Sequence, residues 1–406
     1  MIPTPVVVAT DPVAAAFRSL LATVDWSRLP QRDREIPGPH PLPATVYLKA
    51  LLVKVAKHLP SIEALRRYLD EHPALCWELG FRPRGDRPLL PSSRWLRTQQ
   101  QRLGPLMAQV LQQTVQTLAT RVPALDAMVA LDATHHLAWV KQNNPNQSVS
   151  QRFDARQQPT GDRDCRLGAK TVHCGPDLAR KLAFWGYHSA ILATETVAGP
   201  VVLGATIGPV VAQEVTLARP LAAQVQTTLG QPPAGLTADA AFDAGWLWDW
   251  VVAPGGTAAI AHNPRTGMAR RSPEGHPYCR QGRVMRPTSR VVRKTGPIQH
   301  YGCPLVGNPQ ATCPDPRFGR KGCHKQVSVS PGALARTTVD RHSAAYRQAY
   351  AKRTLVERVF SRIKSWGLDR PRARCLASVT TIVLSGYLLL NLQTLHRLTT
   401  SPSVRE

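Results

Sequence analysis

The most informative stretch of this chain is Tyr350-Ala-Lys-Arg353-Thr-Leu-Val-Glu357, followed by Lys364. We predict a single helix from about Ser343 to Trp366 that contains it. Because a helix turns about 100° per residue, the tyrosine, arginine, glutamate and lysine share one stripe about 60° wide. The opposite stripe is apolar and consists of Leu355, Val356, Val359, Phe360, Ile363 and Trp366. The pattern therefore predicts a helix that is buried on one face and presents a carboxylate among basic side chains.

Two aspartates upstream of this helix follow apolar runs. Asp132 closes the run Ala127–Leu131, which predicts a buried strand that ends at this acid. Asp126 precedes the same run, and we expect it to begin the strand. Asp239 closes the run Gly235–Ala238 in the same way. A single acid after an apolar run commonly marks only an exposed strand end, but three acids in this order form a pattern.

The segments around these acids predict an α/β fold. The predicted elements are two neighbouring antiparallel strands, a helix and a short strand, at Phe184–Glu195, Gly199–Ile207, Glu214–Leu229 and Ala258–Ala261. Strands followed by a strand–helix alternation and a closing helix are typical of a layered α/β domain. Asp243 is expected in the helix after the strand that ends at Asp239, where the helix dipole favours a negative charge.

The spacing Y-x2-R-x3-E-x6-K, formed by Tyr350, Arg353, Glu357 and Lys364, resembles a signature of bacterial insertion-sequence transposases with a DDE catalytic domain. The resemblance covers most of the chain, and it implies a catalytic domain with the ribonuclease-H-like fold. The bland alternative is an amphipathic surface helix with chance ion pairs. The two upstream aspartates favour the transposase interpretation.

Further segments are similar to the same family. The run around Asp239 resembles its "T-A-D-x-x-Y-D" segment, with Phe242 in place of the aromatic residue and Ala240-Ala241 where the family often has Lys-Gly. Gly186-Tyr187-His188 is similar to a strand motif of the family. His188 is expected either to approach the active site or to be satisfied by hydrogen bonds. Lys170, in a loop before that strand, is similar to a "G-x-K" element that faces DNA.

The resemblance also implies the chemistry. Asp132, Asp239 and Glu357 are the expected catalytic residues and the ligands of two Mg²⁺ ions, which Mn²⁺ can replace. Mg²⁺ prefers hard oxygen ligands, and two such ions stabilise both the attacking and the leaving oxygen of a phosphodiester. The residues expected to contact DNA are Tyr350, Arg353, Lys364 and Lys170.

The charge of the chain indicates a nucleic-acid partner independently. The chain has 51 lysines and arginines against 26 aspartates and glutamates, a formal net charge of +25. Phosphate attraction that is independent of sequence grows with such an excess. The excess is also local, because Arg265–Lys294 is strongly basic and contains a single acid, Glu274. Ribosomal proteins are basic too, so the charge alone does not select DNA.

The length of 406 residues allows more than one core. We predict a helical DNA-binding domain at residues 1–122, a catalytic domain at residues 123–261 and 331–398, and a basic insertion at residues 262–330. The predicted helices of the first domain are Pro43–His58, Ser61–Leu69, one from Pro91 and Pro105–Thr120. Its candidate DNA contacts, each of which is more simply a solvated surface residue, are Arg66, Arg67, Arg94 and Arg97.

The cysteines leave one question open. Cys279, Cys303, Cys313 and Cys323 lie in the predicted insertion and are candidate zinc ligands, but their spacing is wider than that of most structural zinc sites. The alternative is that they are ordinary thiols. With no resemblance to a secretory signal peptide and no disulfide pattern, we expect a cytosolic, nucleoid-associated protein.

Two apolar features have structural interpretations. Trp246, Trp248 and Trp250 are expected to pack the helix after Asp239 rather than to stack on an extruded base. Val379–Leu395 is expected to be a terminal helix packed on the catalytic domain, because polar residues interrupt it, rather than a membrane span.

Taken together, the resemblance implies a transposase that binds terminal inverted repeats and target DNA, cleaves the DNA and joins the ends as a homodimer. Two alternatives are a ribonuclease-H-like nuclease or resolvase and an inactive copy that acts as a DNA-binding repressor. All three acids are present, which argues against the inactive copy.

Overall fold

The computed structural model describes residues 5–30, 42–81, 83–84, 87–173, 179–266, 271–272, 274–293, 296–308, 310–315 and 322–400. Lys294, the last residue of the predicted basic run, lies outside them. The helices in these ranges are α1 (Pro5–Thr10), α2 (Pro12–Leu21), α3 (Ala44–Ala56), α4 (Ile62–Glu71), α5 (Pro73–Leu79), α6 (Ser93–Arg102), α7 (Gly104–Arg121), α8 (Glu214–Leu229), α9 (Gly245–Val252), α10 (Pro331–Thr338), α11 (Ala344–Ala351), α12 (Thr354–Ser365) and α13 (Leu376–Thr400).

The strands in the same ranges are β1 (Pro83–Arg84), β2 (Arg87–Pro88), β3 (Val129–Leu137), β4 (Arg166–His173), β5 (Ala179–Thr196), β6 (Gly199–Pro209), β7 (Gly235–Ala238), β8 (Thr257–Ile260), β9 (Arg286–Arg293), β10 (Gly296–Gly302) and β11 (His324–Ser328). The chain divides into two compact units, residues 1–231 with 353–406 and residues 232–352. The predicted domain boundaries are not tested by this division and stay a prediction.

The helices α1 to α7 of the first unit confirm the predicted helical N-terminal region. Ser61 begins α4 as predicted, because its hydroxyl accepts a hydrogen bond from the Ala64 N–H at 3.1 Å. The prediction that the region is wholly helical is wrong in one detail, because the two-residue strands β1 and β2 form a short antiparallel hairpin.

The sheet of the first unit is organised around β5. Strand β3 pairs with it antiparallel, with Asp132 opposite Ile191 and His135 opposite His188. Strands β4 and β6 are also antiparallel to β5. The predicted neighbouring strands and the predicted helix Glu214–Leu229 are therefore confirmed.

Helix α13 is the central helix of this unit. Its Asn391 amide accepts a hydrogen bond from the Val202 N–H at 2.8 Å and donates one to the Val202 carbonyl at 2.8 Å, which fixes α13 to β6. The helix is long and apolar enough to cross a membrane, but 78% of its most apolar window is buried inside the protein. The predicted terminal packing helix is confirmed.

The second unit contains β7 and β8, which are parallel, with Gly235 opposite Thr257. It also contains a three-stranded antiparallel sheet in the order β11-β10-β9, which lies within the predicted basic insertion. All eight residues of the edge strand β9 are exposed, including Arg286, Arg290 and Arg293. Charged side chains on such an edge also discourage pairing with another strand.

Three predictions about local structure are wrong. The helix from Ser343 to Trp366 is interrupted at Lys352–Arg353, where backbone bonds run from residue i to i−3 instead of i−4. Strand β3 continues past Asp132 to Leu137, because β5 supplies ladder partners for the whole segment. Lys170 lies within β4 rather than in a loop, since this segment pairs with the first half of β5.

Candidate active site

Asp132 lies in the middle of β3, after the buried residues Val129–Leu131. Its side chain is 15% exposed. One carboxylate oxygen, Oδ1, accepts a hydrogen bond from the Ala133 N–H at 2.8 Å. A buried strand thus holds one carboxylate at a fixed place with its second oxygen directed to another partner.

That partner is Arg353, which begins α12. Its Nη1 donates to Asp132 Oδ2 at 2.9 Å, and its Nη2 donates to Glu357 Oε1 at 2.5 Å. One guanidinium group therefore joins two of the three predicted catalytic acids. Charge-assisted hydrogen bonds of this kind are among the strongest in proteins. The sequence predicted Arg353 as a DNA contact, whereas its guanidinium lies between the two carboxylates.

Helix α12 presents Glu357 as its apolar stripe predicted. The side chains on that stripe, Leu355, Val356, Val359, Phe360 and Ile363, are buried. Glu357 is in the first turn of α12, where the positive end of the helix dipole favours a carboxylate. Its side chain is 53% exposed, so it is open to solvent. A rigid, half-buried helix therefore carries an accessible acid.

Lys364 and Lys170 belong to the same electrostatic environment as Asp132. Partial burial lowers the pKa of Lys364, Lys170 lowers it further, and Asp132 and Asp369 act in the opposite direction. The structure therefore places two of the predicted DNA-contacting lysines within electrostatic range of each other. Such a pair of positive charges attracts an anion.

A stacked histidine pair lies on β3 and β5. The rings of His135 and His188 have centroids 4.3 Å apart and planes inclined by 19°. Within the described residues, neither ring nitrogen of His188 makes a hydrogen bond of standard geometry. Burial lowers the pKa of His188, whereas hydrogen bonding with the Ala212 backbone raises it, so the role of this histidine stays a prediction. Burial, with His188 and the two lysines Lys170 and Lys364, lowers the pKa of His135 to about 3. Both rings are therefore neutral at neutral pH.

The remaining predicted residues lie in the second unit. Asp239 follows β7 directly, as predicted, and its Oδ1 accepts a hydrogen bond from the Ala241 N–H at 2.9 Å. This bond begins a single 3₁₀ turn at Ala240–Phe242. Tyr350 lies in α11, where its ring stacks on Tyr346 at 5.8 Å between centroids.

Asp243 does not have the predicted role of a helix N-terminal charge. It lies before α9 and is buried, and its carboxylate accepts two hydrogen bonds from Arg336, at 2.7 and 2.8 Å. Trp248 Nε1 and the Asn263 N–H complete its shell, both at 3.0 Å. Burial alone would raise the pKa of Asp243, but these bonds outweigh burial and lower it. Trp248 is buried, which confirms its predicted packing role.

The chemistry of the donors fits a hard metal ion, although the arrangement does not yet form a complete site. Asp132 and Glu357 offer carboxylate oxygens, and the Arg353 guanidinium shows that the pair already attracts a cation. Within the described ranges, no three histidine, cysteine, aspartate or glutamate side chains form a group that could hold a metal ion. Burial raises the pKa of the Cys323 thiol, and Cys303, Cys279 and Cys313 raise it further, so the fold brings the four candidate zinc ligands within electrostatic range of one another. Cys279 and Cys323 also pack beside Tyr301.

A network of buried polar side chains lies behind β3, and no pattern in the sequence predicted it. His136 Nδ1 lies 2.6 Å from the Leu368 carbonyl, and its Nε2 lies 2.7 Å from the Ser189 hydroxyl. The Ser189 hydroxyl is in turn 2.7 Å from that of Tyr387 on α13. This network connects β3 and β5 to α13 and to the segment after α12, so it holds in place the strand that carries Asp132.

Three features are expected of enzymes with a DDE catalytic domain. They are the α/β fold, the acid Asp132 on the buried strand β3 and the acid Glu357 on α12. The profile of one protein family, described as "Transposase DDE domain", matches residues 173–392. The chain belongs to this family. The match includes Asp239 and Glu357 and begins after Asp132. A comparison with curated proteins gave no significant match.

Proposed function

We propose that this transposase binds the terminal inverted repeats of an insertion sequence and catalyses metal-dependent cleavage and strand transfer. The observation that carries the proposal is the pair of acids Asp132 and Glu357, which one arginine joins in a chain that belongs to the DDE transposases. Two carboxylates that lie close together without a metal repel each other, and a guanidinium group between them offsets part of that repulsion.

In the proposed site, Asp132, Asp239 and Glu357 hold two Mg²⁺ ions, which Mn²⁺ can replace. The family resemblance assigns Asp239 to this set. When bound, the metal supplies Lewis-acid stabilisation of the attacking and leaving oxygens of the phosphodiester. Arg353 offsets part of the negative charge of Asp132 and Glu357 in the resting protein, and it would be free to bind a phosphate of the DNA if a metal ion took its place.

The proposed DNA contacts follow from charge and position. Lys364 and Lys170 bind phosphate oxygens as point charges, and Arg353 can bind them in bidentate fashion. Tyr350 donates a hydrogen bond to the DNA backbone or supports Glu357. The helical N-terminal region recognises the terminal repeats. The protein acts as a homodimer that synapses two DNA ends, in the cytoplasm and in association with the nucleoid.

An experiment can distinguish two alternative functions from that of a transposase. A ribonuclease-H-like nuclease or resolvase would use the same acids but would not join a cleaved end to target DNA. An inactive repressor would bind DNA without cleaving it. Joining of a pre-cleaved end to plasmid DNA therefore supports the transposase and excludes both.

The primary test is cleavage of labelled DNA that carries the ends of the element, with Mg²⁺ or Ca²⁺. Glu357→Gln is expected to reduce the cleavage rate at least about a hundredfold, because loss of a metal ligand removes several kcal/mol of transition-state stabilisation. DNA binding should persist in this variant. Glu195→Gln is the matched control, since Glu195 is also exposed and paired with an arginine, Arg358. Equal cleavage by wild type and Glu357→Gln would contradict the proposal.

A further inference from the structure

A cleft of about 290 Å³ lies in the first unit, between the end of α3 and the segment that follows α12. Four of its lining residues are basic or can become so: Lys54, His58, Arg370 and Arg372. Asp369 is the only acid among the lining residues. An excess of positive charge around a concave surface is suited to an anion.

Lys54 is the most unusual residue of this cleft. It is only 7% exposed, on a helix whose neighbouring positions Val53 and Val55 are buried in the core. Within the described part of the chain its ammonium group has no hydrogen bond and no ion pair. Burial, together with the nearby charge of Arg372, lowers its pKa to about 8. Burial makes the charged form of an ammonium group costly, and an anion beside the group offsets that cost.

The two arginines of the cleft are held by stacking instead of by acids. The guanidinium carbon atoms of Arg370 and Arg372 lie 5.0 and 4.7 Å from the centroid of the Trp139 ring. The Nε of Arg370 is buried and has no hydrogen-bond partner. Cation–π stacking fixes a guanidinium group while it leaves the N–H groups available to a ligand.

A second basic cleft in the same unit shows what satisfied cations look like. It is lined by Arg358, Arg362 and Arg397 among others. There, Arg358 pairs with Glu195, Arg362 donates to the Gln393 side chain at 3.4 Å, and Arg397 donates to the Ala198 carbonyl at 2.9 Å. Among the residues that the structure describes, Lys54, Arg370 and Arg372 have no such side-chain partners, so they differ from the arginines of the second cleft.

We propose that the Lys54 cleft binds a phosphoryl group of the DNA strand that occupies the active site. The inference rests on the proposed function, because it takes DNA as the substrate. The cleft includes Ser365, the last residue of α12. At 1.5 Å per residue, Ser365 is about 12 Å along the helix axis from Glu357. A DNA strand carries regularly spaced phosphates, so a strand whose reacting phosphate lies at Glu357 can present another phosphate to the cleft.

The test uses the full-length protein without divalent metal, so that catalysis does not enter. Lys54→Met keeps the length of the side chain and removes its charge, and Arg362→Met in the second cleft is the matched control. Duplex DNA binding is measured by fluorescence anisotropy over a range of salt concentrations. Loss of one buried charge-assisted contact is expected to weaken DNA binding about tenfold in Lys54→Met. The slope of log K against log salt should become shallower by about 0.9.

A second arm uses inorganic phosphate as the probe and thermal denaturation as the measurement. Phosphate should raise the melting temperature of wild type and of Arg362→Met, but not that of Lys54→Met. Lys54→Arg should keep part of both responses. Stabilisation by phosphate with unchanged DNA affinity in Lys54→Met would overturn DNA as the source of the phosphoryl group. No effect of Lys54→Met in either arm would overturn the site itself, and neither result depends on whether Glu357 is catalytic.

Discussion

Arg353 donates a hydrogen bond to Asp132 at 2.9 Å across 221 residues of sequence, and it binds Glu357, four residues further along its own helix, with the same guanidinium group. One internal cation thereby offsets part of the repulsion between two acids in a shared site. The arrangement gives Arg353 a role in the resting protein that its place in the sequence motif does not reveal.

The contacts of Arg353 with Asp132 and Glu357 predict that the free energy of unfolding of an Arg353 variant depends on bound metal. Arg353→Met should lower the free energy of unfolding by about 1–3 kcal/mol in EDTA, because Asp132 loses a charged hydrogen-bond donor. Mg²⁺ should restore part of this loss by replacing the missing cation. Thermal denaturation with and without Mg²⁺ measures both effects. Arg358→Met, which breaks an exposed pair with Glu195, should cost less than about 1 kcal/mol and show no metal response.

The buried pair of Asp243 and Arg336 predicts a large structural effect in the second unit. Arg336→Met should destabilise the protein by about 3–5 kcal/mol, since it leaves a buried carboxylate without its cation. The double variant Asp243→Leu with Arg336→Met should recover much of this loss in urea denaturation. Because the pKa of Asp243 is lowered on folding, the stability that it contributes is present above its unfolded pKa of about 3.9. It is lost as the pH falls further. A double variant as unstable as Arg336→Met would contradict the assignment.

The two hydrogen bonds between Asn391 and Val202 predict that α13 cannot accept an apolar side chain at position 391. Asn391→Leu should cost about 2–4 kcal/mol, because the Val202 N–H and carbonyl would both remain buried without partners. Denaturant unfolding monitored by circular dichroism provides the measurement. Gln393→Leu on the same helix should change stability by less than about 1 kcal/mol, since its contact with Arg362 is at the surface. Similar effects of the two substitutions would show that the hydrogen bonds of Asn391 are unimportant for stability.

The buried histidine His136 predicts an acid limit to stability. Burial lowers its pKa to about 4, compared with about 6.5 in the unfolded chain. Between these values the unfolded chain binds more protons, so stability should fall as the pH decreases from about 6.5 to 4. His136→Gln should flatten this part of the profile of unfolding free energy against pH, whatever its effect at neutral pH. An unchanged slope would mean that other groups, such as His135, determine it.

Much of the fold could be predicted from the sequence because its signals are local. The periodicity of Leu355 to Ile363 predicted the buried face of α12, and the apolar run before Asp239 predicted a strand that ends at that acid. Ser61 predicted the start of α4 through its own hydroxyl. The candidate acids were found because their spacing resembles that of a known family.

What the sequence could not determine are contacts between distant residues. The break at Lys352–Arg353 and the extension of β3 past Asp132 depend on neighbouring elements. Asp243 resembled an ordinary helix N-terminal charge until the fold placed Arg336, 93 residues away, against it.

The sequence by itself therefore determined the class of chemistry, since acids, spacing and charge are written in the order of residues. Packing between distant segments determined which cation pairs with each acid and which cations pair with no acid. Arg353 lies between Asp132 and Glu357, whereas the buried ammonium group of Lys54 forms no ion pair with an acid among the described residues. The physical reason is that hydrophobic periodicity is a property of a short segment, while the energy of a buried charge depends on everything that the fold packs around it.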